Sequence, residues 1–365
     1  MGVEVISITV GGTRYTAFES INVKSAFNEA ARSFDFEVAA EPGPSATNQI
    51  FTVGAKVQIY ANSDLLLTGY VDRRKPRIDA KSALISVEGR SSSQDLIDGA
   101  AEHKTGRFKK KDPKEIGEEV SKNYSETGFE TDQKLEKVDQ YQLNPGETVF
   151  RCVEKLCRQQ GMTLHGTAEG KIKITKAGQK RHGGGLIEGK NIKVGTADHN
   201  GSNRHSKYTV LGQRPFDHGV DALEIQAVVK DSGVNRHRPV IVAQDEDTTK
   251  PRAKKRAKNR RDRAAGDALK ATIDTQGFRD EGGTIWTAGN LVWVESPFLD
   301  IAQDMLIESV TFRQDDKGSI ATLALTDPKS YGGEGGGGGK GNKSGSSWKQ
   351  SGDADDSETE GGEEL

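Results

Sequence analysis

The sequence predicts a multidomain α+β chain: two similar antiparallel β-barrel-like modules, α+β insertions, and a disordered C-terminal tail. Three observations carry this. Residues 286–326 read as three strands, WTAGNLVWV, MLIESVTF and SIATLALT, the last two joined through Asp315-Asp316-Lys317-Gly318. Residues 51–89 repeat the design as FTVGAKVQI, LLLTGYVD and ALISVEG, with Phe51 over Trp286, Thr52 over Thr287, Gly54 over Gly289, Val57 over Val292 and Ile59 over Val294. Between the copies, the hydrophobic period changes from that of strands to that of helices.

In chain order, residues 1–92 form the first β-barrel-like module. Its strands run from Val3 to Val10, turn at Gly11-Gly12, and include the alternating Phe34, Phe36 and Val38. Glu41-Pro42-Gly43-Pro44 opens a polar loop before the first copy of the repeat. Residues 93–180 form an α+β domain. There Asp112 and Pro113 cap a helix carrying Ile116, Val120 and Tyr124, and Asn144-Pro145 starts a second helix ended by Gly161. A hairpin about Glu169-Gly170 follows.

Residues 181–245 and 283–331 are assigned to the second β-barrel-like module. Residues 246–282 are read as an inserted basic, alanine-rich helix reaching about Ile273. Its segment 250–263 holds nine basic residues and one acid, Asp262, while Ala253, Ala257, Ala264 and Ala268 make a narrow seam. That pattern fits a solvated helix packed through its alanines; a protein-contact face and a nucleic-acid face are the alternatives. Residues 332–365 form a Gly-rich, acidic tail that buries too little apolar surface to order, with Trp348 its one anchor for a partner.

Composition narrows the functional classes. At 365 residues the chain has room for two or three domains, and a net charge of -2 implies no particular partner. Cys152 and Cys157 lie about 140° apart round a helix, which suits buried reduced thiols and not a disulfide. No signal peptide is read, and no apolar run approaches the roughly 20 residues that span a bilayer, so a soluble, cytoplasmically made protein without stable membrane insertion is expected.

Catalytic patterns are sparse. GGLIEGKN at residues 184–191 approaches a phosphate loop, but Asn191 replaces the magnesium-binding hydroxyl and a strand-like NIKVG follows. The seven histidines are scattered, and no G-x-S-x-G elbow occurs. The expectation is no catalytic residue, no cofactor and no metal site: a protein that acts through its shape. An enzyme on an unrecognised β scaffold and a nucleic-acid binder working through residues 250–263 remain the rival readings.

The ordered set VGAKVQIY, LLLTGYVD and ISVEGRSSSQDLID, then NPGETVFRCVEKLCRQQGMTLH, YTVLGQ, the basic helix, GTIWTAGNLVWV and ATLALTDP resembles the baseplate hub proteins of contractile-tailed bacteriophages of the Mu type. It is similar in outline to the T-even phage hub and to the N-terminal part of type VI secretion VgrG spikes. The resemblance covers residues 1–331. It implies a non-enzymatic homotrimer in the virion tail baseplate, assembled in the host cytoplasm. It also implies the tail tube on one side, the spike on the other, other baseplate proteins around it, and phage DNA passing through without specific binding. Two similar modules in each of three chains would make a pseudo-six-fold ring between a six-fold tube and a three-fold spike.

Overall fold

The computed structural model describes residues 4–40, 50–80, 82–212, 225–243 and 248–332. The proline loop after Glu41, His218 and residues 333–365 with Trp348 lie outside them.

The first module contains β1 (Ile6–Val10), β2 (Thr13–Tyr15), β3 (Ser20–Ala26), β4 (Ser33–Ala39), β5 (Lys56–Ala61), β6 (Asp64–Ile78) and β7 (Ala83–Ser91). Strict alternation forms these strands: Phe34, Phe36 and Val38 of β4 point inward, while Asp35 and Glu37 point out. Antiparallel ladders join them in the order β3-β4-β7-β6-β5-β1-β2.

The second domain holds α1 (Gln94–Asp98), β8 (Arg107–Lys111), α2 (Pro113–Val120), β9 (Phe129–Thr131), β10 (Val138–Gln142), α3 (Val149–Gln159), β11 (Thr163–Gly166) and β12 (Ile172–Thr175). Asp112 and Glu115 form a reciprocal capping box on α2. The second helix starts later than the sequence suggests. Gly146 has φ 76°, so Asn144-Pro145 is a turn, and α3 begins at Val149 with Thr148 as its cap. Ile116, Val120, Val149, Val153, Leu156, Ile172 and Ile174 make a core of their own.

Beyond this lie β13 (Leu186–Ile187), β14 (Ile192–His199), β15 (Lys207–Gly212), β16 (Ile225–Lys230), β17 (Pro239–Ala243) and α4 (Lys250–Gly266). β18 (Leu269–Gln276), β19 (Leu291–Ser296), β20 (Ile301–Asp315) and β21 (Gly318–Thr326) follow, and a 3-10 turn at Pro328–Tyr331 ends the described part. Two expectations are corrected here. The segment 246–282 is not one inserted helix: α4 stops at Gly266, where a Cβ would sit 2.4 Å from Ser330 N, and residues 269–276 form a strand between β14 and β21. Alternation explains the change, since Ala271, Ile273 and Thr275 point inward and Lys270 and Thr272 point out. Nor do the strands at 207–212, 225–230 and 239–243 join the second module. β15, β16 and β17 form a separate three-stranded sheet, because Tyr208, Val210, Ile225 and Ala227 pack on Ala253 and Ala257 of α4.

One continuous sheet of 13 described strands joins the two barrel-like modules, running β14-β18-β21-β20-β3-β4-β7-β6-β5-β1-β2, with β19 branching from β20 and β13 pairing with β19. The link is the antiparallel pairing of Ser309 through Gln314 on β20 with Ala26 through Ile21 on β3. Both interiors merge across it, with Ile21, Val23, Phe36 and Val87 in the same cluster as Ile273, Val310, Phe312 and Leu323.

The second domain meets the first module through Arg32. Its Nη1 donates to Leu66 O at 2.6 Å and its Nε to Gly166 O at 3.0 Å. Burial lowers this guanidinium to about 10, and carbonyls satisfy it in place of a carboxylate. His165 lies beside Phe27 at 5.5 Å between ring centroids, and its Nδ1 has no hydrogen-bond partner. Burial, with the nearby charges of Arg32 and Lys173, depresses its pKa to about 4.

Two predictions follow from these contacts. Gly54 and Gly289 have φ of 81° and 88°, but a Cβ on Gly289 would fall 2.4 Å from the Phe27 ring, whereas one on Gly54 meets nothing within 4 Å. Gly54→Ala is expected to cost about 1 kcal/mol from its backbone alone, and Gly289→Ala about 3 kcal/mol because overpacking adds to the backbone cost, as read from urea denaturation. His165 is neutral when folded and titrates near its ordinary value when unfolded. Its contribution is therefore fully present above about pH 6.5 and is lost as pH falls towards about 4, at most about 3 kcal/mol. His165→Phe should flatten the unfolding midpoint between those pH values relative to wild type.

Candidate functional site

The two barrel-like modules match strand for strand. In each, a threonine-led turn precedes the first hairpin strand. Ala55 N donates to Thr52 O at 3.0 Å and Asn290 N to Thr287 O at 3.4 Å. Gly54 N then donates to Val71 O, and Gly289 N to Ile307 O, both at 2.8 Å. The return bonds, Val71 N to Ala55 O and Ile307 N to Asn290 O, are 3.0 and 2.9 Å. Only residues free of a Cβ enter these left-handed turns without strain, which is why glycine stands at both positions.

The long hairpins agree in register as well. β6 and β20 each have 15 residues, and β7 and β21 each have 9. A constant offset of 236 residues relates Val71 paired with Gly89 to Ile307 paired with Leu325. Even the bulge repeats, between Val71 and Arg73 in one copy and between Ile307 and Ser309 in the other. The next strands keep step: β4 lies on β7 as β18 lies on β21, and β3 lies on β4 as β14 lies on β18. The duplication therefore covers five strands in each module.

The copies differ at their edges. In the second module, the far half of β20 is covered by β3. Among the described residues, the corresponding part of β6, residues 73–78, forms a ladder with β7 and with no second strand, because β5 reaches no further than Tyr70. Among the described strands, β14 likewise pairs only with β18. Among the described residues, the outer edge of β14 and the far half of β6 are thus left open. Sequence reading missed both. The run DRRKPRI after LLLTGYV carried the signal, since a strand that outgrows its hairpin partner turns polar where it leaves the core.

Other polar groups hold turns in place. His182 and Asp280 form a buried pair, Nδ1 to Oδ2 at 2.9 Å, beside Trp286. Burial opposes the Asp280 charge, but hydrogen bonds with His182 and from the backbone of Thr284 and Gly183 hold its carboxyl below the ordinary value. His182 Nε2 accepts from Thr287 N at 3.1 Å, so both ring nitrogens are engaged and the ring pins the WTAGN turn. The phosphate-loop lookalike is a turn: Asn191 accepts from Ile187 N and donates to Gly185 O, and β14 follows in place of a helix. Burial pushes the Cys152 and Cys157 thiols up to about 11 and about 12. Among the described residues, no three His, Cys, Asp or Glu side chains gather to hold a metal.

The basic helix is divided cleanly. Ala253 and Ala257 are fully buried against the three-stranded sheet, while Arg252, Lys254, Lys255, Arg256, Lys258 and Arg260 are exposed. A shallow saddle on the outer face of the first module is lined by paired charges, Arg90 with Asp72 and Arg73 with Glu88.

Known families match this architecture in sequence. Residues 5–91 match the N-terminal domain of Mu phage baseplate assembly protein GpP-like proteins, and residues 93–176 the second domain of baseplate hub protein gp44-like proteins. Residues 204–259 match the third domain of NMB1110-like tail proteins, and residues 248–334 the fourth domain of Mu phage baseplate assembly protein GpP. The baseplate hub protein gp44 of Escherichia phage Mu is 24% identical over 335 residues, covering 89% of this chain and 88% of that protein. The crystal structure of the 43 kDa tail protein of prophage MuSo2 from Shewanella oneidensis superposes with a TM-score of 0.82 at 27% identity, covering 91% of this chain and all of that one. A tail protein from Neisseria meningitidis MC58 shares the fold, with a TM-score of 0.73 at 20% identity over 90% of this chain and 99% of that one. Domain by domain, the chain is similar to Mu-type baseplate hub and phage tail proteins.

Proposed function

We propose that this protein is the structural hub of a contractile phage baseplate. Three copies close into a ring that adapts a six-fold tail tube to a three-fold membrane-piercing spike. The observation that supports it most is the internal duplication, kept in register by a constant offset across β6, β7, β20 and β21. A chain with two equivalent modules, repeated three times round an axis, offers six similar positions to one neighbour and three identical ones to another. A heterologous contact repeated in this way closes a ring without a free end.

In this reading the protein needs no catalytic residue, cofactor or metal. Its partners are its own copies, the spike, the tail tube and other baseplate proteins, and phage DNA crosses the ring without specific binding. It works in the virion tail after assembly in the host cytoplasm. The exposed cations of α4 support a second reading, nucleic-acid binding through residues 250–263.

Native mass measurement at micromolar concentration is expected to give three times the chain mass; a stable monomer would defeat the ring. The rival is tested by titrating duplex DNA. The hub account expects weak affinity, with little loss between about 50 and 200 mM salt, whereas a binder making several phosphate contacts loses orders of magnitude.

A further inference from the structure

Within the chain, the two modules are joined by one ladder, the far half of β20 against β3. The duplication maps each side of that ladder onto an open edge. By the offset of 236 residues, Ser309 through Gln314 correspond to residues 73–78 of β6. The strands beside them fix the other side. Phe36 faces Val87 as Ile273 faces Leu323, and Ile21 faces Phe36 as Gly195 faces Ile273. β14 is thus the counterpart of β3, with Ile21 matching Gly195 and Lys24 matching Asp198.

We propose that residues 73–78 of β6 in one copy pair antiparallel with β14 of a second copy, repeating between chains the junction that β20 and β3 make within one. The register follows from the mapping: Lys75 faces Asp198, Pro76 faces Ala197, Arg77 faces Thr196 and Ile78 faces Gly195. Unlike charges meet at the first of these pairs, and among the described residues neither Lys75 nor Asp198 makes an ion pair. Burial points the same way. Val310 and Phe312 at the covered junction are 0% and 2% exposed, as are Ile21 at 0% and Val23 at 1%. On the open edges, by contrast, Ile78 is 70% and Val194 56% exposed. Pro76 removes one donor from the ladder, which leaves the contact weaker than its internal counterpart and selective for a strand presented in this register.

Each copy offers one edge of each kind, so the contact is head-to-tail and leads to closure. The inference rests on the ring reading above, and the experiment separates the two. Lys75→Cys combined with Asp198→Cys places thiols on facing exposed positions, while the native Cys152 and Cys157 are buried. Under mild oxidation the double variant should run as a covalent trimer on non-reducing gels. Each single variant should stay at chain mass, and the out-of-register pair Lys75→Cys with Thr196→Cys should give at least tenfold less product. A trimer by native mass with no cross-link from the 75/198 pair, or with equal cross-linking from the shifted pair, overturns this interface and leaves the ring standing. A monomer by native mass overturns the ring, and this interface with it.

Discussion

The structure depends on one hydrogen-bonded seam, β20 against β3. β20 runs for 15 residues, yet β19 covers only its first six. A bulge between Ile307 and Ser309 redirects the strand, and the remaining backbone groups need partners of their own. β3 supplies them across more than 280 residues of sequence, and Val310 and Phe312 bury themselves against Ile21 and Val23. The two barrel-like modules therefore share one interior. The orientation of one relative to the other is set by a ladder, which tolerates no one-residue slip because every side chain would change face.

The remaining domains attach to this frame without interrupting it. The second domain has its own core and touches the first module through the buried Arg32, whose donors end on carbonyls of Leu66 and Gly166. The three-stranded sheet with α4 is a third unit. Ala253 and Ala257 let the helix approach closely, and its cations remain in solvent. The polar groups that look catalytic in isolation serve this frame: His182 and Asp280 hold the turn that starts the second copy of the hairpin.

Much of this was legible in the sequence because local chemistry and global fold agree. The glycines of FTVGAKVQI and WTAGNLVWV align because each must adopt a left-handed turn. The alternation of β4 and the capping box of α2 announce their elements directly. Two failures have a common cause. Residues 269–276 alternate as a strand, but they follow a helix whose alanine seam continues to Ala268, so the helical period masks the change. Residues 207–212, 225–230 and 239–243 are strands of the right kind in the wrong sheet, since which sheet a strand joins depends on long-range pairing that no local pattern encodes. The open edges were hidden for the same reason: an unfilled ladder is visible only once its filled counterpart is known.

That counterpart makes the central claim concrete, namely that the chain is one third of a ring with six similar modules. Two-dimensional class averages of the purified full chain, imaged by electron microscopy down the ring axis, test it most directly. Six lobes of nearly equal size, obeying three-fold but not six-fold symmetry, are the predicted result; particles with two-fold symmetry, or isolated two-lobed monomers, would contradict the account.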